Sequence, residues 1–175
     1  MGVMDIRLTR TEDAPQIAVV HVQSWQGAYR GLLPQTYLDS FDPAQRVGRW
    51  KRSLSETDWS RGGTLLADTG GSLLGFINYS PTRDGDADPK RVGEIHAIYL
   101  VPAAWGKGIG KQLMDASLGR LIEAGFDQVT LWVLDSNVRA RRFYEAGGWS
   151  ADGAAKRDES RGFPVTQVRY RRPLP

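Results

Sequence analysis

Apolar positions along the chain recur with two periods, and the switches between them outline the elements. Residues 5–8 (Asp-Ile-Arg-Leu) read as a short first strand. After the polar stretch 9–13, Ile17, Val20, His21, Ser24 and Trp25 fall at helical spacing, with Asp13 placed as a cap and Pro15 in the first turn. Gly27 and Gly31 break this helix. Pro34 starts a short second helix through Tyr37 and Leu38. Pro43 starts a third, with Val47, Trp50 and Leu54 on one face. Residues 64–68 and 72–80 predict two strands of a hairpin around Gly70-Gly71. A polar, flexible, locally acidic loop over 81–90 leads into an apolar strand over 92–101.

A glycine-rich turn follows, and then Ile109, Leu113, Met114, Leu118, Leu121 and Ile122 mark one side of a helix that Gly125 ends. Residues 128–134 (QVTLWVL) are apolar almost throughout and predict a strand buried on both faces. The spacing predicts a helix over 137–146 with Ala140, Phe143 and Tyr144 inward. Gly147-Gly148 turns the chain into a strand near Trp149. Residues 152–163 read as a surface loop, and 165–171 as the last strand. The order is strand, helices, three strands, helix, strand, helix, two strands. One mixed sheet flanked by helices, an α/β (α+β) fold in a single domain over 1–175, satisfies it.

Composition narrows the chemistry. The chain has 175 residues, with 41% hydrophobic and 25% charged, so disorder and fibrous architectures are excluded. It has no cysteine, which removes disulfides, thiolate metal sites and a cysteine nucleophile. With His21 and His96 as its two histidines, no metal is expected. No apolar run approaches the ~20 residues that span a bilayer, and the N-terminus lacks a signal-peptide core. The expectation is a cytoplasmic protein without membrane or nucleic-acid partners. The net charge of +3 is spread along the chain, and no basic run alternates with exposed aromatics.

The turn after the 92–101 strand carries the candidate chemistry. Gly106, Gly108 and Gly110 alternate with Lys107 and Ile109, and Lys111 follows. Glycines let backbone N–H groups approach an anion, and the helix start adds partial positive charge. A Walker loop would need Ser or Thr after Gly106-Lys107, and a dinucleotide fingerprint would need glycine at position 111. Neither is present, so this is a phosphate loop of another kind. A plain strand-to-helix turn is the bland alternative.

Here the sequence resembles the GCN5-related N-acetyltransferase (GNAT) superfamily, and in 131–149 and the loop the resemblance is specific. Trp105-Gly106-Lys107-Gly108-Ile109-Gly110 matches the family's Gln/Arg-x-x-Gly-x-Gly/Ala pyrophosphate loop, with Trp105 departing at the first position. The segment LWVLDSNVRARRFYEAGGW, 131–149, looks like the second cofactor segment. HVQSWQGAYRGLLPQTYLDS resembles a bacterial small-molecule subgroup that includes polyamine acetyltransferases.

The resemblance implies a mostly antiparallel mixed sheet of six to seven strands. It implies acetyl-CoA as donor, CoA as product, and dimerisation as a common habit of the family. Backbone groups of Ile98, Tyr99 and Leu100 would pair with the pantetheine arm as an added strand. Residues Gly106, Lys107, Gly108, Ile109, Gly110 and Lys111 would hold the pyrophosphate. Asn137 would reach the cofactor arm, or cap its helix, or both. Tyr144 would return a proton to the leaving thiolate, unless it is core packing.

For the acceptor, Glu94 and His96 share one strand face, and the segment EIHAIYL resembles the matching strand of arylalkylamine acetyltransferases. Either residue could take the amine's proton: a histidine side chain ordinarily suits the task, and burial can raise Glu94 toward it. A salt-bridged Glu94 and a core His96 are the alternatives. Trp25, Tyr29, Tyr37 and Trp50 would wall a substrate pocket, or pack under the sheet. Arg139, Arg141 and Arg142 form a solvated face, or one meets the adenosine phosphate. Asp84, Asp86 and Asp88 are a polar loop, or attract a cationic amine. The expected activity is direct acetyl transfer to the primary amine of a small molecule. A peptide acceptor and a non-catalytic CoA-binding module are the rivals.

Overall fold

The computed structural model describes residues 3–175. Seven strands form one sheet in the order β1-β2-β3-β4-β5-β7-β6. They are β1 (Asp5–Leu8), β2 (Gly63–Asp68), β3 (Leu73–Pro81), β4 (Val92–Leu100), β5 (Gln128–Leu134), β6 (Ser150–Asp158) and β7 (Val165–Pro173). The β4–β5 pair is parallel and every other pair antiparallel, so the sheet is mixed as expected. Helices α1 (Ala14–Ala28), α2 (Gln35–Asp39) and α3 (Pro43–Glu56) precede the hairpin. Helices α4 (Ile109–Glu123) and α5 (Val138–Ala146) flank β5.

The centre of the sheet is buried on both faces. Leu65, Ile77, Ile95, Leu113, Leu121 and Leu131 belong to the α4 side, and Ile17, Val20, Leu54, Leu66 and Phe76 to the α1/α3 side. Each such side chain contributes roughly 1.5–3 kcal/mol by leaving water. Gly93 lets α4 close on the strand, since a Cβ there would sit 2.8 Å from Leu121 Cδ2. Among the described residues no helix is long and apolar enough to cross a membrane.

Several sequence readings are corrected. Residues 150–158 are strand β6, where a loop was expected over 152–163. The side chains are exposed almost throughout, so no alternation marks it, and backbone pairing with β7 makes it a strand. Gly27 does not break α1, which runs on to Ala28. A Cβ there would meet Pro102 Cγ at 2.6 Å, so the glycine permits close packing. Asp13 precedes α1 without capping it by its side chain. Its carboxylate instead takes a fork from Arg7, 2.9 Å on each oxygen, and the Arg10 N–H at 2.7 Å. Ile122 and Phe143, expected inward, are each 38% exposed.

Candidate active site

The site begins where two strands part. Parallel pairing of β4 and β5 runs from Val92 opposite Gln128 to Ile95 opposite Leu131. Beyond that point β4 stays with β3, and β5 stays with β7. A bulge marks the parting: Ala97 faces Asn78 and Ile95 faces Tyr79, so His96 is one residue extra on β4. Bulges bend and over-twist a strand. The gap between the strands opens into a cavity of about 1210 Å³ that reaches both faces of the sheet.

On the α4 side the cavity meets the glycine turn. Gly106 (φ 72°) and Gly108 (φ 77°) adopt backbone conformations that favour glycine, and Gly108 caps α4. The first helical bond of α4 runs from the Gln112 N–H to the Gly108 carbonyl, 3.1 Å. The N–H groups of Ile109, Gly110 and Lys111 thus lack helical acceptors. Gly106, Gly108, Ile109, Gly110 and Lys111 line the cavity, and Lys107 does not. Ile98, Tyr99 and Leu100 line it along the unpaired edge of β4.

Trp105 ties the turn to that edge, since its Nε1 donates to the Leu100 carbonyl at 3.1 Å. The Arg139 guanidinium sits over the Trp105 ring, 3.7 Å from its centre. Asn137 Oδ1 accepts from the Ala140 N–H at 3.1 Å, so the residue caps α5 and its amide nitrogen remains for the cavity it lines. These features fit a diphosphate with a linear arm beside it: free N–H groups at a helix start, and a strand edge open for pairing.

Tyr144 lines the gap and is 8% exposed. Burial pushes its phenol well above the ordinary range, and the Tyr99 phenol adds to this. Tyr99 and Tyr29 are pushed up in the same way. Tyr99 faces the α1/α3 side, stacked on His21 with ring centres 5.3 Å apart. Burial pushes His21 down to about 4, with Arg46 and Arg49 adding to it, so it is neutral at pH 7. Trp25, Tyr29 and Tyr37 all line this end.

Glu94 and His96 do share a face. His96 Nδ1 lies 3.2 Å from Glu94 Oε1 and 2.6 Å from an Arg83 nitrogen, and His96 Nε2 bonds to Ser80 Oγ. His96 lines the cavity; Glu94 is buried behind it. The expected upward shift of Glu94 is corrected. Burial pushes it up, but hydrogen bonds from His96 and the Arg83 N–H (2.9 Å) outweigh that and hold it below its ordinary value. It is an anion facing the imidazole.

The acidic loop is anchored and does not wait for an amine. Asp84 accepts from Trp132 Nε1 at 3.0 Å and from Arg169 at 3.1 Å, and Asp86 accepts from Arg169 at 2.7 and 2.8 Å. Asp88 caps its own turn through the Lys90 N–H. Arg141 binds the Tyr170 hydroxyl at 3.0 Å and Asp135, so it is held within the fold. Sequence reasoning missed Ser80 and Arg83, and also Arg46, Arg49 and Arg161 on the cavity wall. A signal existed for two of them: Arg46, Arg49, Trp50 and Ser53 stand at i, i+3, i+4 and i+7, one stripe of α3.

Comparison with known proteins fits this geometry. The sequence profile of the Acetyltransferase (GNAT) family matches residues 25–149. The uncharacterized N-acetyltransferase YuaI of Bacillus subtilis is 32% identical over 142 residues, 81% of this chain and 77% of that protein. An uncharacterized N-acetyltransferase of Archaeoglobus fulgidus is 32% identical over 141 residues, 81% of this chain and 89% of that one. The crystal structure of the PaiA N-acetyltransferase from Thermoplasma acidophilum, in complex with coenzyme A, aligns with a TM-score of 0.76 at 22% identity. It covers 98% of this chain and 99% of that one.

Proposed function

The chain belongs to the GNAT family of acetyltransferases, and from that premise we propose that it transfers the acetyl group of acetyl-CoA directly to the primary amine of a small molecule. The observation that carries this is the continuous cavity, with a glycine turn at one end, an aromatic-walled end opposite, and Tyr144 and His96 along the strand gap between them.

The donor supplies an activated acetyl group on a thiol leaving group. The turn N–H groups from Gly106 to Lys111 would hold its diphosphate, and the β4 edge from Ile98 to Leu100 would align its arm. Arg139, fixed on Trp105, supplies a cation beside the turn where the family pattern has Gln or Arg. An amine must lose a proton before or as it attacks. His96 takes that proton on Nε2, which the Ser80 hydroxyl frees by turning to the Pro81 carbonyl 2.9 Å away, and the imidazolium so formed faces the Glu94 carboxylate. Tyr144 keeps a proton on its hydroxyl for the sulfur that leaves. A backbone N–H near Ile98 or Tyr99 would steady the developing oxyanion. With no cysteine in the chain, no thiol of the protein carries the acetyl group.

Titration calorimetry with CoA and acetyl-CoA, followed by free-thiol release over panels of small amines and peptides, tests this reading. Heat on mixing and thiol release with small amines are expected. No heat, or release with peptides alone, overturns it. Glu94→Gln removes the anion that meets the imidazolium, so kcat should fall by about tenfold or more. The acid limb of the rate profile should move to lower pH. An unchanged profile removes Glu94 from the mechanism.

A further inference from the structure

The acceptor end of the cavity carries charge of one sign. Arg46 and Arg49 from α3, Arg83 from the loop before β4, and Arg161 from the turn between β6 and β7 all line it. Among the described residues the one carboxylate on the cavity wall is Asp115, on α4, and Lys111 is paired with it. Arg83 is engaged by His96 and Glu94, and Arg161 by Asp158 at 2.6 Å. Arg46 and Arg49 form no ion pair among the described residues.

Arg46 is half-buried, and its guanidinium sits over Phe41, 4.2 Å from the ring centre. A guanidinium drawn partly out of water without an anion is costly, and its planar fork fits a carboxylate or phosphonate. Arg46, Arg161 and Tyr99 line the same cavity, and the charge of each arginine favours the ionised form of the Tyr99 phenol, so Tyr99 marks a place both can reach. That place is on the α1/α3 face, across the sheet from the glycine turn, so these arginines are not counter-ions of a diphosphate bound there.

We propose that the acceptor is a small primary amine that also carries a compact oxyanion, as an amino acid does. Arg46, Arg49 and Arg161 hold the anion and the amine points at His96. This rests on the acetyl-transfer reading above. The same wall disfavours a polyamine, which brings several cations and no anion, and it lowers the cost of keeping the bound amine neutral and nucleophilic. The polyamine hint in 21–40 is therefore not carried by the site.

Matched pairs that differ by the anion test the proposal: phenylalanine against phenethylamine, methionine against 3-(methylthio)propylamine, and 2-aminoethylphosphonate against propylamine, with spermidine alongside. Thiol release is read for each. The anionic member should be preferred by roughly ten- to a hundredfold in kcat/KM, the range of a charge-assisted hydrogen bond. Arg46→Gln and Arg49→Gln should erase most of that preference, chiefly through KM, and Arg46→Lys should restore part of it. Heat of CoA binding by each variant shows that it is folded.

Equal use of both members, or spermidine used best, with CoA binding and thiol release intact, overturns the anion assignment and leaves acetyl transfer standing. CoA binding without thiol release from any amine overturns acetyl transfer, and this inference with it.

Discussion

Replacing Tyr144 with Phe is expected to lower kcat by about a hundredfold or more, the range lost with a positioned proton donor, while the Kd for coenzyme A changes by less than about twofold. The ring is held by neighbours, with centres 5.5 Å from Phe143, 6.1 Å from Trp149 and 6.2 Å from Tyr170. Phe fits that nest. Burial and the Tyr99 phenol act on its hydroxyl with no hydrogen bond among them, so its removal strands no donor or acceptor on a neighbour. The substitution therefore removes a proton and little else.

Burial keeps that proton on the phenol at neutral pH, whereas a thiol ordinarily ionises near pH ~8.5 and a thiolate leaves faster when a donor meets it. Steady-state thiol release and titration calorimetry on the same preparation separate the two effects. A variant that turns over like the parent removes Tyr144 from the chemistry and makes it a packing residue.

Replacing Arg169 with Met is expected to cost about 3–5 kcal/mol of stability, since it removes one partner of a buried ionic network. Against the ~5–15 kcal/mol that holds a typical domain together, this is a severe loss. Arg169 is 5% exposed. Its Nε donates to Asp152 at 2.7 Å, and its two terminal nitrogens reach Asp84 and Asp86 at 2.7 to 3.1 Å. Methionine would fill the volume, strand Asp84 without a cation and leave Asp152 with Arg171 alone, at 3.3 Å. Urea unfolding of parent and variant reads the difference. A loss below about 1 kcal/mol, the worth of an exposed pair, would show that the network is solvated.

The same network sets an acid limit. Arg169 holds the Asp86 carboxyl below its ordinary value; for Asp152 burial acts upward, and the Ala154 N–H and Arg169 outweigh it. Folded carboxylates with depressed pKa bind fewer protons than the unfolded chain does. Their contribution is full above pH ~4 and fades as pH falls through the lower folded values. The acid midpoint of unfolding should be higher for the Met variant, as the network's stability is already gone.

What could be read from sequence was what depends on local chemistry. The glycine turn was legible because positive φ at Gly106 and Gly108 restricts residue type at fixed spacing. The shared face of Glu94 and His96 was legible because a strand alternates every two residues. Strand β6 was not legible, because an exposed edge strand has no buried face to print a pattern. Phe143 was assigned inward by helical spacing, yet the cavity opens beside it and it forms part of that wall. Arg169 gave no warning either. Its partners lie 17, 83 and 85 residues away, and only folding brings them together.

His96 is a surplus residue in β4. Take His96 out of the chain, and Ile95 and Ala97 become direct neighbours facing Tyr79 and Asn78, as an unbroken ladder requires. Ile95 already faces α4 and Ala97 already faces α1, so neither would turn over. A chain shorter by that single codon would have a straighter, better-paired sheet and no imidazole. The extra residue thus bends the strand where β4 and β5 part and turns no neighbouring side chain to the other face.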